Sequence, residues 1–295
     1  MDISCPHELS SRVGRAEFDT GATSRDNGGM SDDSEITLRI TAGHIAVLAQ
    51  TELLHRDFGQ AVSQWKSDGT RVTATDIAIS ENIFASLAES FPDDQFFSEE
   101  LTEADAPIPV TARYCWVLDP IDGTNNFATG IPHCAIGLAL LEDGQPIYGF
   151  VYDLGRSVLI RGGPGHGVWE GEKKVGLKDQ PLAPESVVAF HSPHEKTYAP
   201  HASILADHFK LRALVTSTIH LAYVGNGLFD AVVDHNVKVW DIAAAVPLIL
   251  AGGGAVEFIT ESPFPLREFD LKMSRIFYLA GTRDGVAELE RLLSV

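Results

Sequence analysis

The segment Trp116-Val117-Leu118-Asp119-Pro120-Ile121-Asp122-Gly123-Thr124-Asn125-Asn126-Phe127 sets two carboxylates three residues apart around a proline, directly after an apolar, β-like run. The Gly123-Thr124 pair that follows can open a helix. Asp-Pro and Asp-Gly are also turn-forming dipeptides, so a plain turn competes for these letters taken alone. Carboxylates at a strand end are hard oxygen ligands suited to Mg²⁺, and free backbone N–H groups at a helix start suit a phosphate. Metal and phosphate meeting at one point predict phosphate-ester chemistry.

Further acids stand at other element boundaries. Glu99 and Glu100 end the run Gln95-Phe96-Phe97-Ser98, where solvated charge is the alternative reading. Asp76 follows Val72-Thr73-Ala74-Thr75 and precedes an amphipathic segment, where it would serve as a helix cap in any case. Asp241, in Val239-Trp240-Asp241-Ile242-Ala243-Ala244, heads a long apolar stretch and is a second cap candidate. These acids are dispersed along the chain, which counts against a Ca²⁺ loop, where they would be contiguous. They suit instead a cluster assembled by the fold.

With Asp-Pro-Ile-Asp-Gly-Thr at 119–124 and Trp-Asp-Ile-Ala-Ala at 240–244, the set resembles the inositol monophosphatase family of Mg²⁺-dependent phosphatases over residues 34–295. The resemblance implies a layered αβαβα sandwich of two tightly packed lobes, of mixed α+β and α/β character. It implies two or three Mg²⁺ ions per site. Asp119 bridges two of them, Glu99 and the Ile121 carbonyl serve the first, and Asp122 and Asp241 serve the second. Glu100 is an outer neighbour and Trp240 packs behind Asp241. Asp76 lies by a third, looser ion or by the attacking water, helped by Thr124. Gly123 and Thr124 offer backbone N–H groups to the phosphate, reinforced by the helix dipole. Asp234, where relatives usually carry Glu, holds substrate hydroxyls. Val215, Thr216 and Ser217 form the other substrate-facing stretch, where inositol phosphatases tend to have Gly-Thr-Ala. Lys66 is either a residue of a mobile loop near the site or a surface lysine. His191 and His194 show no metal-ligand spacing and are read as loop residues.

The implied reaction is hydrolysis of a small phosphorylated polyol by metal-activated water, myo-inositol monophosphate first. Histidinol phosphate and 3′-phosphoadenosine 5′-phosphate are the alternatives, and a regulatory, protein-binding member that keeps the metal site is the reading from another class. Lithium sensitivity and a homodimer belong to the same expectation.

Bulk properties narrow the partners. A net charge of −19 argues against a nucleic-acid backbone or an anionic membrane as the main partner. Hydrophobic content of 44% is that of an ordinary globular chain. Cys5, Cys115 and Cys134 lack metal-ligand spacing, and Cys115 lies in an apolar run, so a buried free thiol and a cytoplasmic setting are expected. No secretory signal or membrane-spanning run is apparent.

Residues 1–33, rich in Ser, Asp, Gly and Arg, read as a disordered leader, and translation from Met30 is an expectation that an intact mass would test. A lobe at 34–181 would carry most metal ligands, and a lobe at 182–295 the last ligand and the substrate-facing residues. Apolar spacing predicts one long helix from Ser34 to Leu54, capped by Asp33 or Ser34, and a helix over 76–91. Between them, 61–76 reads as irregular or hairpin-like. Strands are predicted at 95–98, 114–118, 135–141, 146–152, 157–161 and 167–169, then at 187–190, 210–215, 228–233, 255–258 and 275–280. Helices are predicted at 200–208, 218–225, 241–251 and 284–293.

Overall fold

Alternation along the Tyr114–Asp122 strand sets the architecture. Trp116 and Leu118 bury against one layer and Cys115 and Val117 against the opposite one, as the two-residue strand period requires. The computed structural model describes residues 32–66, 71–100 and 106–295. The leader expectation for 1–33 and the Met30 start lie outside the described residues, apart from the first residues of the opening helix.

A seven-stranded sheet runs in the order Lys173–Val175, Gly167–Glu170, Val158–Gly163, Gln145–Asp153, Ala135–Glu142, Tyr114–Asp122, Gln95–Ser98. Neighbours are antiparallel except the last pair. Helices Asp32–Leu48 and Ala74–Ser90 cover one face, where Ile79, Ile83 and Leu87 join Trp116, Leu118 and Phe150 in one core. On the other face lie helices Ser217–Gly225, Val239–Ala243 and Val246–Ala251, in a core shared with a second sheet. That sheet has five strands, in the order Lys210–Arg212, Val187–Phe190, Ala231–Val237, Ile276–Gly281, Ala255–Phe258. Its outer face packs Val188, Val233 and Leu279 against Leu205 of helix Ala199–His208 and Val286 and Leu289 of helix Arg283–Leu293. The result is the αβαβα sandwich.

Several boundaries differ from the sequence expectation. The opening helix begins at Asp32, so Asp33 and Ser34 lie inside it and neither caps it. It stops at Leu48 and resumes at Thr51–Asp57, because the Gln50 N–H bonds Val47 three residues back, a 3₁₀ step. The single helix expected over 241–251 is two, Val239–Ala243 and Val246–Ala251. Pro247 explains the break, since its ring crowds the carbonyl four residues back. The hairpin suspected over 61–76 is present as Ser63–Trp65 paired with Arg71–Thr73. Cys115 and Cys134 are both buried free thiols. No helix among the described residues is long and apolar enough to cross a membrane.

Candidate active site

In a regular strand, residues three apart point to opposite faces. Asp119 and Asp122 nonetheless converge, because the strand carries one extra residue between them. Asp119 pairs with Gly137 and Asp122 with Ala135 on the neighbouring strand, the mark of a β-bulge. Pro120 has no N–H to offer a ladder and is tolerated at such an irregularity. Asp241 arrives from the second half of the chain, on the third residue of helix Val239–Ala243. One carboxylate oxygen from each of Asp119, Asp122 and Asp241 lies within 4.8 Å of the other two.

Each acid is held by its neighbours. Asp122 Oδ2 accepts from the Thr216 hydroxyl at 2.8 Å and the Thr218 N–H at 2.6 Å. Asp241 Oδ2 accepts from the Lys238 N–H at 2.7 Å. Asp119 is 1% exposed, and its Oδ1 has no hydrogen-bond partner. Leaving a buried carboxylate oxygen unpaired is costly unless a cation takes it. Three anionic oxygens without nitrogen or sulfur suit a hard divalent ion, so the donor set fits Mg²⁺.

Asp76 and Asp241 are not the helix caps the sequence suggested. Both stand three residues inside, and each accepts the backbone N–H of the residue before its helix, Thr73 at 2.8 Å and Lys238 at 2.7 Å. Thr73 is the true cap of helix Ala74–Ser90, so Thr73-Ala74-Thr75-Asp76 forms a capping box. Asp76 Oδ1 lies 3.2 Å from the Thr124 hydroxyl, which is also 2.9 Å from the Ile121 carbonyl. The hydroxyl thus joins Asp76 to the bulge.

Gly123 stands at φ +83° before the short helix Thr124–Thr129. A Cβ there would also lie 2.8 Å from the His133 carbonyl, so only glycine fits between the second acid and that helix. Glu99 acts electrostatically on Asp119 together with Asp122, Asp241 and Asp76, but stands apart from the tight trio. Its Oε1 is 3.0 Å from Lys66 Nζ, which also reaches Glu100 Oε1 at 2.7 Å. Lys66 is therefore paired with both glutamates, and is not a free surface lysine.

Residues 32–288 match the inositol monophosphatase family. The chain belongs to that family. It is 30% identical over 257 residues to inositol monophosphatase 2 of Rattus norvegicus, covering 84% of each chain. It is 31% identical over 181 residues to the Nus factor SuhB of Xylella fastidiosa, 59% of this chain and 64% of that one. Among solved structures, extragenic suppressor protein suhB of Bartonella henselae superposes with a TM-score of 0.76 at 24% identity, covering 87% of this chain and 98% of that one.

Packed together on the family fold, the acids shift one another's titration. Burial pushes Asp76 up to about 6, with the Glu99 charge adding to it and bonds from Thr73 and Thr124 pulling back. Burial also lifts Asp122 to about 6 against the bonds from Thr216 and Thr218. Asp119 and Asp241 rise well above the usual carboxylate range, by burial first and then by each other's neighbours. Glu100 rises to about 7, by burial and then the Glu99 charge, against Lys66. A raised carboxyl keeps a proton that the unfolded chain has already released above about pH 4. Its stabilising effect is full below that pH and is lost as pH rises through about 6. A bound cation offsets the loss. The expected result is a Mg²⁺-induced rise in melting temperature that is small at pH 5 and large at pH 8, measured against EDTA. A rise that does not change with pH would contradict it.

Sequence reasoning missed several site residues. Thr218 donates its N–H to Asp122 and its hydroxyl to the Asp241 carbonyl at 2.8 Å, linking acids from the two halves. The run of hydroxyls Thr216-Ser217-Thr218 at a helix start was the available signal. Val215 is an expected residue in an unexpected conformation: it takes φ +61°, rare for a β-branched residue and costly. The turn is pinned on both sides, because Asn126 Nδ2 donates to the Leu214 carbonyl at 2.8 Å and the Leu214 N–H bonds His220 Nε2 at 2.9 Å. Tyr278 is fully buried beside these acids, its hydroxyl unpartnered. Nothing in an apolar strand pattern singles it out.

Proposed function

We propose that this protein is a Mg²⁺-dependent phosphomonoesterase that hydrolyses the phosphate ester of a small alcohol by direct attack of water. The observation that carries the reading is the convergence of Asp119, Asp122 and Asp241 around an unpartnered Asp119 oxygen. Carboxylates alone would repel a phosphate dianion, so the site needs cations to bind its substrate. Glu99, Asp119, the Ile121 carbonyl, Asp122 and Asp241 would hold two Mg²⁺ ions, with Asp76 beside a third. Bound there, the ions supply charge neutralisation and an acidified water.

The chain's own residues do the positioning. Thr216 and Thr218 orient Asp122, and Lys238 orients Asp241. Thr124 sits where its hydroxyl can pass its proton to Asp76 while taking one from the attacking water, so the hydroxyl is restored and Asp76 holds the proton. The backbone N–H groups of Gly123 and Thr124 would face the phosphoryl oxygens. Most of these groups come from 34–181, while Asp241 and the wall of Thr216, Ser217 and Asp234 come from 182–295. A homodimer in the cytoplasm, and inhibition by lithium, complete this reading.

The relative named inositol monophosphatase 2 puts myo-inositol monophosphate first for trial, followed by histidinol phosphate and 3′-phosphoadenosine 5′-phosphate. The relative named Nus factor SuhB favours the regulatory, protein-binding alternative. Phosphate release from these esters with Mg²⁺ and with chelator separates the two. Chelator-sensitive release supports the enzyme. A folded protein that releases phosphate from none of them favours the regulatory reading.

A further inference from the structure

Asp234 and Ser217 are the residues expected to meet the substrate's hydroxyls, yet both face inward. Asp234 is 0% exposed and Ser217 4%. The Ser217 hydroxyl donates to Asp234 Oδ2 at 2.8 Å, and the Asn236 N–H donates to Oδ1 at 3.0 Å. His191 Nδ1 lies 3.4 Å from the same Oδ2, and its Nε2 is 2.9 Å from Asn236 Nδ2. Ser217 and both oxygens of Asp234 are thus engaged, and His191 Nδ1, which makes no hydrogen bond, lies against the same carboxylate.

The charges agree with a closed set. Burial alone would raise Asp234, but His191 and then Ser217 outweigh it and hold the carboxyl below the usual range. The same contact raises His191 against its own burial. Asp234 has no exposed surface, so a substrate hydroxyl would reach it only by displacing Ser217 or His191, and the exchange gains little. What the adjoining turn offers outward is aliphatic, since Val215 is 39% exposed. A site that reads a hydroxyl must keep an unpaired buried partner waiting for it. This wall keeps none at Asp234.

Building on the phosphatase reading, we propose that Ser217, Asp234 and His191 form an internal network that closes the leaving-group wall. The enzyme then grips the phosphoryl end of its substrate and does not read hydroxyls on the alcohol. Its substrate class is phosphate monoesters of small alcohols with few hydroxyls of their own, and a polyol gains no advantage. Ser217→Ala with Asp234→Glu removes the inward donor and lengthens the acid by one methylene, which opens the wall to a polyol.

The test compares two esters of the same ring size, myo-inositol 1-phosphate and cyclohexyl phosphate. Their kcat/KM values are measured with Mg²⁺ on the full chain and on the double variant, with circular dichroism as the folding check. The wild type is expected to favour the inositol ester by less than about tenfold, and the double variant to raise that ratio at least about tenfold, through KM for inositol phosphate. A wild-type preference of tenfold or more, or a folded double variant whose ratio does not rise, overturns the proposal and leaves the phosphatase reading standing. If the double variant does not fold, the wild-type ratio decides. No Mg²⁺-dependent release from either ester, nor from the wider panel, overturns both together.

Discussion

Asp119→Asn is expected to cut Mg²⁺-dependent phosphate release by about a thousandfold or more, and yet to raise the melting temperature of the metal-free protein. Asp119 is the acid on which the charges of Glu99, Asp122, Asp241 and Asp76 all act, and its buried Oδ1 has no donor. Replacing the carboxylate by a neutral amide of the same shape removes repulsion from every one of those neighbours. It also removes the oxygen charge that a divalent ion would take. Stability and activity therefore move in opposite directions, as they do where a site stores unfavourable electrostatics. Two measurements read this out, phosphate release and the Mg²⁺-induced shift in melting temperature. The shift should shrink in the variant. Full turnover in a folded Asp119→Asn protein would refute the metal mechanism.

Gly149→Ala should be the most damaging small substitution away from the acids. A Cβ at 149 would sit 1.7 Å from the Ala244 carbonyl oxygen and 2.7 Å from its carbon, both backbone atoms. No rotamer change relieves such a contact. Either the strand Gln145–Asp153 or the link between helices Val239–Ala243 and Val246–Ala251 has to move. Overpacking of this kind costs about 3 kcal/mol or more. Asp241 rides on the helix that leads into Ala244, so a shift of that link carries the damage to the site as well. The urea midpoint should fall, and the Mg²⁺-induced stabilisation with it. An unchanged midpoint would mean that the two layers slide past one another more freely than their packing implies.

What was legible in the sequence is what local pattern controls. The strands Gln95–Ser98 and Val187–Phe190 stand where alternation and turn residues put them, and Asp119, Asp122 and Asp241 meet as their boundary positions suggested. What was not legible depends on partners remote in sequence. The run at 228–233 looked like a strand by apolar content, but the strand is Ala231–Val237. Asp230 is occupied before it starts, accepting from the Val187 N–H at 2.8 Å and Gln180 Nε2 at 3.1 Å. Polar Asp234, His235 and Asn236 are drawn into the strand beside Ile276–Gly281, though not in unbroken register. The strand expected over 210–215 stops at Arg212, because the chain must turn at Val215 to present Thr216 and Thr218 to Asp122. The inward turn of Asp234 has the same character. The family resemblance made it a candidate to hold a ligand, and only the positions of Ser217 and His191 show that it is enclosed.

The extra residue between Asp119 and Asp122 makes spacing, more than composition, the inherited property of this segment. Exchanging the side chain at 120 or 121 changes packing by degrees. Pairing the same number of residues without the bulge would restore simple alternation and rotate one acid through the sheet, toward the layer where Trp116, Leu118 and Ile136 lie fully buried. An ionised group there would find no counter-charge and no water. Substitution that leaves the bulge in place is therefore an open route for variation at this position in the lineage, and loss of the bulge at this length is a closed one.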